Sequence, residues 1–476
     1  RHKFHKKGRT FSFDLNTSNN HNTNPSHLLA QSIFLINTSL NDTLNQQTTL
    51  GQNTWSVSGN ATYTEPIAKN GELQFQYSLN YLPGTSAKDV YFYSNVTEGY
   101  TLSDSLLSST FKSENIADKV GGSYMFQHNK LQFSAGLYYQ ITTLHNTQYL
   151  PSTYQLDRTF YNILPTATFQ YIFSPTNYFH FTYITFTSAP TVTQLQSVIN
   201  NTNPLQLTTG NPALRQPYEH NFYANYFSTD PASSSTFVVS LSGNYTENYI
   251  TNNSIIAEND TVLRKDITLP KGSQLITPVN KDGNWNVNTY ISYGLPVDLI
   301  RSNISLNITG GMAKIPAIIN DQINYANTKS GGIGFTISSN INENIDFTIA
   351  SNTSLNSDKN SLNTSLNNLY IRQNSNAVFN LIFLKRFVFN TELFYQYNSG
   401  LSAGFDQSYL LWNVSVGRKL FKNRQGDIRV IVYDFLKQNN NIQHTVTETY
   451  IQDMRTNILQ RYFMLTFTYS LRDLKQ

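Results

Sequence analysis

The chain has 476 residues, of which only 13% are Asp, Glu, Lys or Arg, about half the share of an ordinary soluble domain. Apolar residues are also scarce, at 39% with Tyr included, while aromatics reach 13% and 58 residues are Asn; this mixture excludes a disordered polyelectrolyte and a helical membrane protein. A net charge of +4 gives no support to nucleic-acid binding, and the absence of Cys removes disulfide frameworks, thiolate metal sites and Cys nucleophiles together.

The length allows about three soluble domains or one large barrel. The longest apolar run, Val378 to Leu384, is interrupted by Asn380 and is far short of the roughly 18 residues that mark a membrane helix. Arg1 stands where an initiator Met would be, and the first 30 residues have no apolar core of a signal peptide. The expectation is a processed chain or part of a longer one.

Taken in order, the segments alternate with period 2, which predicts strands with two unlike faces. Trp55, Val57, Gly59, Ala61 and Tyr63 alternate with Ser56, Ser58, Asn60 and Thr62. Leu73, Phe75, Tyr77, Leu79 and Tyr81 oppose Gln74, Gln76, Ser78 and Asn80; Leu131, Phe133, Ala135, Leu137 and Tyr139 oppose Gln132, Ser134 and Gln140. The pattern continues through Trp285, Val287, Thr289, Ile291 and Tyr293, then Phe387, Phe389, Leu393, Tyr395 and Tyr397, to Phe463, Leu465, Phe467 and Tyr469. Eighteen strands are predicted, at 8–18, 53–65, 72–82, 119–127, 130–140, 163–173, 177–187, 217–227, 235–250, 284–294, 300–312, 332–339, 344–355, 374–384, 386–397, 406–421, 427–436 and 455–470.

Connections after even-numbered strands are short: 66–71, 128–129, 174–176, 228–234, 295–299, 340–343, Lys385 and 422–426. Those after odd-numbered strands are mostly long: 19–52, 83–118, 141–162, 188–216, 251–283, 313–331, 356–373 and 437–454. Such alternation predicts an all-β, antiparallel transmembrane barrel of a Gram-negative outer membrane, with short periplasmic turns and long extracellular loops. The apolar face then meets lipid and lipopolysaccharide, with aromatic girdles at both rims, and the polar face lines the lumen.

Chemistry-bearing patterns are weak. Sequons such as Asn37-Thr-Ser and Asn413-Val-Ser are what so much Asn, Ser and Thr produces by chance. Only His2 and His5 lie close together among nine His, beside Lys3, Lys6 and Lys7, without a metal-binding spacing. No G-x-S-x-G, P-loop or G-x-G-x-x-G occurs, and Gly331-Gly332-Ile333-Gly334 reads as a bend entering a strand. No catalytic residue, cofactor site or metal site is expected, and the protein is read as not an enzyme.

One segment has a more particular order. Thr187-Ser188-Ala189-Pro190-Thr191-Val192-Thr193-Gln194-Leu195-Gln196 is followed by Asn203-Pro204-Leu205 and then by Gly210-Asn211-Pro212-Ala213-Leu214-Arg215-Gln216-Pro217-Tyr218-Glu219-His220-Asn221. It resembles the "GNP.L.PE" region of TonB-dependent receptors, and in particular the outer-membrane β-barrel family in which a carboxypeptidase-regulatory-like domain and a plug precede the barrel. Lys7-Gly8-Arg9-Thr10, Pro278-Val279-Asn280 with Gly283, and Arg461 to Tyr469 are further similar pieces. The Tyr218 between Pro217 and Glu219 is a small departure; the lack of a plug or TonB box is a large one.

Eighteen strands could close into a barrel alone; the resemblance instead implies a 22-stranded barrel, of which residues 1–476 form the C-terminal barrel portion. It implies a receptor that binds a ligand and imports it with TonB acting through an upstream plug. The alternative is a noncatalytic barrel that scaffolds a secretion, insertion or surface-lipoprotein complex with other outer-membrane proteins. The family-motif residues Pro190, Gln194, Leu195, Gly210, Asn211, Pro212, Leu214 and Pro217 are expected to stiffen a long loop rather than touch a ligand.

Overall fold

A computed structural model describes every residue except 33–41, 202, 204, 265–266, 340, 343, 365–366, 401–406, 422–423, 440, 447–450, 457 and 472–476. Among the described residues eighteen long strands follow one another as an antiparallel meander. They are β1 Thr10–Ser32, β2 Asp42–Ala68, β3 Gly71–Ser94, β4 Ser109–His128, β5 Leu131–Leu150, β6 Tyr154–Ser174, β7 Asn177–Thr187, β8 Tyr218–Asp230 and β9 Ser235–Glu247. The second half comprises β10 Asn284–Val297, β11 Ser302–Ile319, β12 Gln322–Ser339, β13 Ile345–Asn360, β14 Asn368–Phe383, β15 Phe387–Ser399, β16 Gln407–Leu420, β17 Gly426–Tyr433 and β18 Tyr462–Tyr469. Each predicted strand falls on one of these.

The ladders carry the two faces unbroken across the sheet. Ser56, Ser58, Asn60 and Thr62 of β2 share a face with Gln74, Gln76, Ser78 and Asn80 of β3, and Ser78 donates a hydrogen bond to Asn60. The same face passes through Ser123 of β4 to Gly136 and Ser134 of β5, where the Ser134 and Thr168 hydroxyls pair at 2.7 Å. On this face Leu144 and Leu156 pack against Leu195 and Leu214 of the segment between β7 and β8, which identifies it as the lumenal side. The opposite face is apolar and exposed: Phe75 is 52% accessible, Leu137 59% and Leu465 69%. Facing lipid, such side chains need no protein partner.

Aromatic rings collect at the two rims of the outer face. Near the long-loop ends of β7 to β9, the Tyr183 hydroxyl pairs with His220 Nδ1 at 2.8 Å, and the rings of Tyr218 and Tyr245 lie 4.9 and 5.9 Å from that imidazole. At the turn side, Tyr171, Phe173, Tyr226 and Phe237 form a chain of edge-to-face contacts. These are the expected girdles. One outer patch departs from apolar character: on β13 and β14 the Gln373 amide donates to Ser351 and Ser375 at 2.6 and 2.8 Å and accepts from Thr353. Its polar groups satisfy one another, as lipid exposure requires.

The extents of the strands differ from expectation. β1, β2 and β3 run for 23, 27 and 24 residues, about twice what a crossing needs. Much of the predicted loops 19–52, 83–118, 141–162, 313–331 and 356–373 is continuous ladder, from His21↔Asn53 to Ser32↔Asp42 in the first and as far as Lys88↔Ser109 in the second. Beyond the bilayer both faces meet water, so the backbone still pairs while the apolar alternation that reveals a strand disappears. The predicted loop 313–331 is a tight hairpin, Ile319↔Gln322, turned by Asn320 and Asp321 at φ 45 and 63, the two positive-φ positions of a type I′ turn. The strand predicted at 455–470 begins only at Tyr462, because Ile451–Thr456 pairs with Asn441–Val446 in a separate hairpin. His2–Lys3 pairs with Thr10 and Phe11, and among the described residues no ladder joins β1 to β18.

Candidate functional site: a cap and the cavity beneath it

The segment after β7 owes its shape to local hydrogen bonding. Thr191 and Gln194 form a reciprocal capping box around the single helical turn Val192–Leu195: Thr191 Oγ1 accepts from the Gln194 N–H at 3.3 Å, and Gln194 Oε1 accepts from the Thr191 N–H at 2.9 Å. That turn aims Leu195 into the cluster with Leu144, Leu156 and Leu214, where both Leu195 and Leu214 are nearly inaccessible. Pro190, also buried, enters against the inner wall, with Leu144, Phe111 and Asn115 beside it.

The second half of the motif closes back on the first. The Gly210 N–H donates to Gln196 O at 2.8 Å and the Asn211 N–H to Gln194 O at 2.6 Å. A Cβ on Gly210 would lie 2.3 Å from Gln196 O and 2.6 Å from Gln196 N, so no larger residue fits this approach. Asn211 Oδ1 accepts from the Ala213 N–H at 2.9 Å, the Asx turn its side chain favours. Pro212 follows within that turn, and Pro217 is buried where the chain enters β8.

The motif also reaches a second segment. Asn211 Nδ2 donates to Pro278 O at 2.9 Å; Asn280 Oδ1 accepts from the Arg215 N–H at 2.6 Å, and its amide donates to Arg215 O and Asn248 O at 3.0 and 2.7 Å. Pro278-Val279-Asn280, a separate family-like piece in the sequence, is therefore the partner of Gly210-Asn211-Pro212. Gln206–Thr208 pairs in parallel with Gln274–Ile276, and Tyr249–Ile256 pairs antiparallel with Gln274–Lys281. Ile199, Leu207, Ala257 and Leu269 form a small core between them. Thr251 Oγ1 donates to Pro316 O at 2.5 Å and anchors the assembly on β11.

The predicted loops 188–216 and 251–283 are thus one folded cap. Its strands lack a sequence signature because, folded inside the cap, they have no lipid-facing side to impose an apolar alternation; the only trace is the brief Leu275, Val279 pattern around Pro278. Pro204 lies outside the described residues.

Beneath the cap, against the lumenal face of β7 to β10, lies a cavity of about 890 Å³. Its floor is a lattice set by strand register: Glu219, Thr246 and Asn284 form one cross-strand row, Asn221, Asn244 and Asn286 the next, and Tyr223, Ser242 and Asn288 the third. Ser188, Thr191, Gln194 and Pro217 of the cap close the other side. The wall amides hold one another in place. Asn284 Nδ2 donates to Thr246 Oγ1 at 3.4 Å, Thr246 Oγ1 to Asn244 Oδ1 at 3.0 Å, and Asn244 Nδ2 to Asn221 Oδ1 at 2.9 Å and Glu219 Oε2 at 3.4 Å.

Of these floor residues the sequence pointed only to Glu219 and Asn221, at the end of the motif; the alternation of Asn, Ser and Thr on the polar faces is the only signal for the others. Of the motif residues, Gln194 and Pro217 line the cavity, and Gly210, Asn211, Leu195 and Leu214 hold the cap that closes it. His2, by contrast, meets Phe4 edge-to-face at 4.7 Å, far along the chain from this site.

Against known proteins, the model of the outer membrane protein beta-barrel family matches residues 2–469. No curated protein matches the chain. Among solved structures, the chain is similar at 8% identity to the siderophore receptor PirA from Pseudomonas aeruginosa, covering 91% of this chain and 77% of that one with a TM-score of 0.38. It is similar at 7% identity to the copper transporter OprC, over 97% of this chain and 80% of that one, TM-score 0.43. The outer membrane transporter YddB from Escherichia coli matches at 11% identity over 96% and 75%, TM-score 0.33. Scores this low carry no inference about ligands.

Proposed function

The chain belongs to the outer membrane protein beta-barrel family, and from that premise we propose that it is a noncatalytic outer-membrane receptor that binds a ligand under its cap and imports it. The observation that carries this reading is the cavity itself: it lies on the lumenal side of the wall, under a cap built from two loops that are knitted to each other. A ligand held there sits on the route through the barrel. Energy for passage comes, in this reading, from TonB acting on a plug encoded upstream, and further strands complete a 22-stranded barrel between the edges of β1 and β18.

The test is removal of 188–216 from the full-length protein. The barrel should still assemble, seen as heat-modifiable migration on gels, while growth or uptake that depends on the protein is lost. Full uptake by an assembled, capless barrel would overturn the proposal.

A second reading, a barrel subunit that scaffolds an outer-membrane or surface-lipoprotein complex, draws support from the polar cluster of Ser351, Thr353, Gln373 and Ser375 on the lipid-facing side. Uncharged hydrogen-bonding groups at that place are the kind that associate with another membrane protein. A detergent-stable complex that dissociates on Gln373→Leu would favour it.

A further inference from the structure

We propose that the cavity beneath the cap binds a neutral, hydroxyl-rich ligand, an oligosaccharide in chemical class. This rests on the receptor reading above and specifies what that receptor takes.

The lining chemistry selects among ligand classes. Among the described residues no Lys, Arg or His lines the cavity, and Glu219 is its one carboxylate. An anionic ligand would enter without the charge-assisted bonds that bind phosphates and carboxylates. A multiply charged cation would meet a single counter-charge. An apolar ligand would bury the amides of Asn244, Asn284 and Asn286 without replacing their bonds to water. Hydroxyl groups, which donate and accept at once, match amides that do the same.

The geometry adds to this. Neighbouring strands place side chains about 4.8 Å apart and successive same-face residues about 6.6 Å apart, so the three rows present amide and hydroxyl groups at intervals wider than vicinal hydroxyls and closer to those of hydroxyls on opposite sides of a sugar ring or on successive sugars. The chain of bonds from Asn284 through Thr246 and Asn244 to Asn221 fixes these groups in advance, while Asn286 accepts from Asn288 at 3.3 Å and keeps its NH₂ group for a ligand. Tyr223, in the third row and 42% exposed, offers an aromatic face on which the C–H face of a sugar can lie. Pockets with an aromatic wall and a few placed polar groups fix orientation in this way.

The experiment titrates the purified full chain in detergent with maltohexaose, cellohexaose and chitohexaose, and in parallel with inositol hexakisphosphate and spermine, by calorimetry. At least one neutral hexamer should bind saturably, and the double substitution Asn244→Leu with Asn286→Leu should weaken it by about tenfold or more, the effect of losing two amide hydrogen bonds. Asn390→Leu, on a lumenal wall away from the cavity, should leave the affinity unchanged. If the double variant fails to show heat-modifiable migration, Ser242→Phe, which fills the third row, serves in its place and should abolish binding. Binding of hexakisphosphate or spermine with none of the hexamers would overturn this proposal and leave the receptor reading intact. Binding of no probe, or hexamer binding untouched by these variants, would also overturn it, and the receptor reading would then be decided by the cap-deletion uptake test.

Discussion

Replacing Gly210 by Ala should loosen the cap without unfolding the barrel. The added Cβ would sit 2.3 Å from Gln196 O, 2.6 Å from Gln196 N and 2.8 Å from Gln194 O, all backbone atoms with no rotamer to yield. The two chain segments at this point must part, and two bonds part with them: Gly210 N–H to Gln196 O and Asn211 N–H to Gln194 O. Overpacking of this kind costs about 1–3 kcal/mol, and each bond about 1 kcal/mol. Taking about 3 kcal/mol in all, the population of open cap rises on the order of a hundredfold.

Cleavage through local opening follows that population when reclosing is fast. Protease cleavage within 188–216 of the purified protein should therefore accelerate by a similar factor, while heat-modifiable migration of the barrel stays as in the parent. Gly331→Ala is the control, since a Cβ there meets nothing within 4 Å. Equal cleavage rates for Gly210→Ala and the parent would refute the close backbone approach as the cap's lock.

The two faces of the wall make unequal demands, so Phe75→Arg or Leu465→Arg should cost roughly 2–4 kcal/mol near the midplane, and Gln76→Arg much less; equal losses in denaturant titrations would count against a polar lumen. Lys88, in the part of β3 that extends beyond the membrane, has its pKa lowered by burial, and makes no ion pair among the described residues. Its folded-state pKa thus lies below the unfolded value, so below the folded pKa the protein carries the whole cost of a half-buried charge, and that cost is relieved as pH rises through the folded pKa towards the unfolded one. Lys88→Met should raise Tm at pH 7, with the gap to the parent narrowing towards pH 10; a gap independent of pH would assign the effect to packing instead. On intact cells, added protease should cut at the turn around Val96, which is 93% exposed, and spare the turn at Pro175 and Thr176; the reverse pattern would invert the orientation.

The spans themselves were legible in the sequence because lipid writes them there. Where one face of a strand meets hydrocarbon and the other water, residues must alternate, as in Leu73 to Tyr81 or Phe463 to Tyr469, and all eighteen strands were found from that constraint. Outside the bilayer the constraint lapses, and His21 to Ser32 pairs as regularly as Phe11 to Thr17 with no periodic trace of it. The motif around Gly210 was legible as unusual order, yet its partner was not: Asn211 meets Pro278 across 67 residues and Arg215 meets Asn280 across 65, contacts that only folding of the two loops against each other creates. The cavity floor depended on tertiary structure most. Asn221, Asn244 and Asn286 come from three strands, and a shift of one residue in either register would turn part of that row to the lipid side. The sequence determined which residues could face the lumen; the ladders and the cap decided which of them meet.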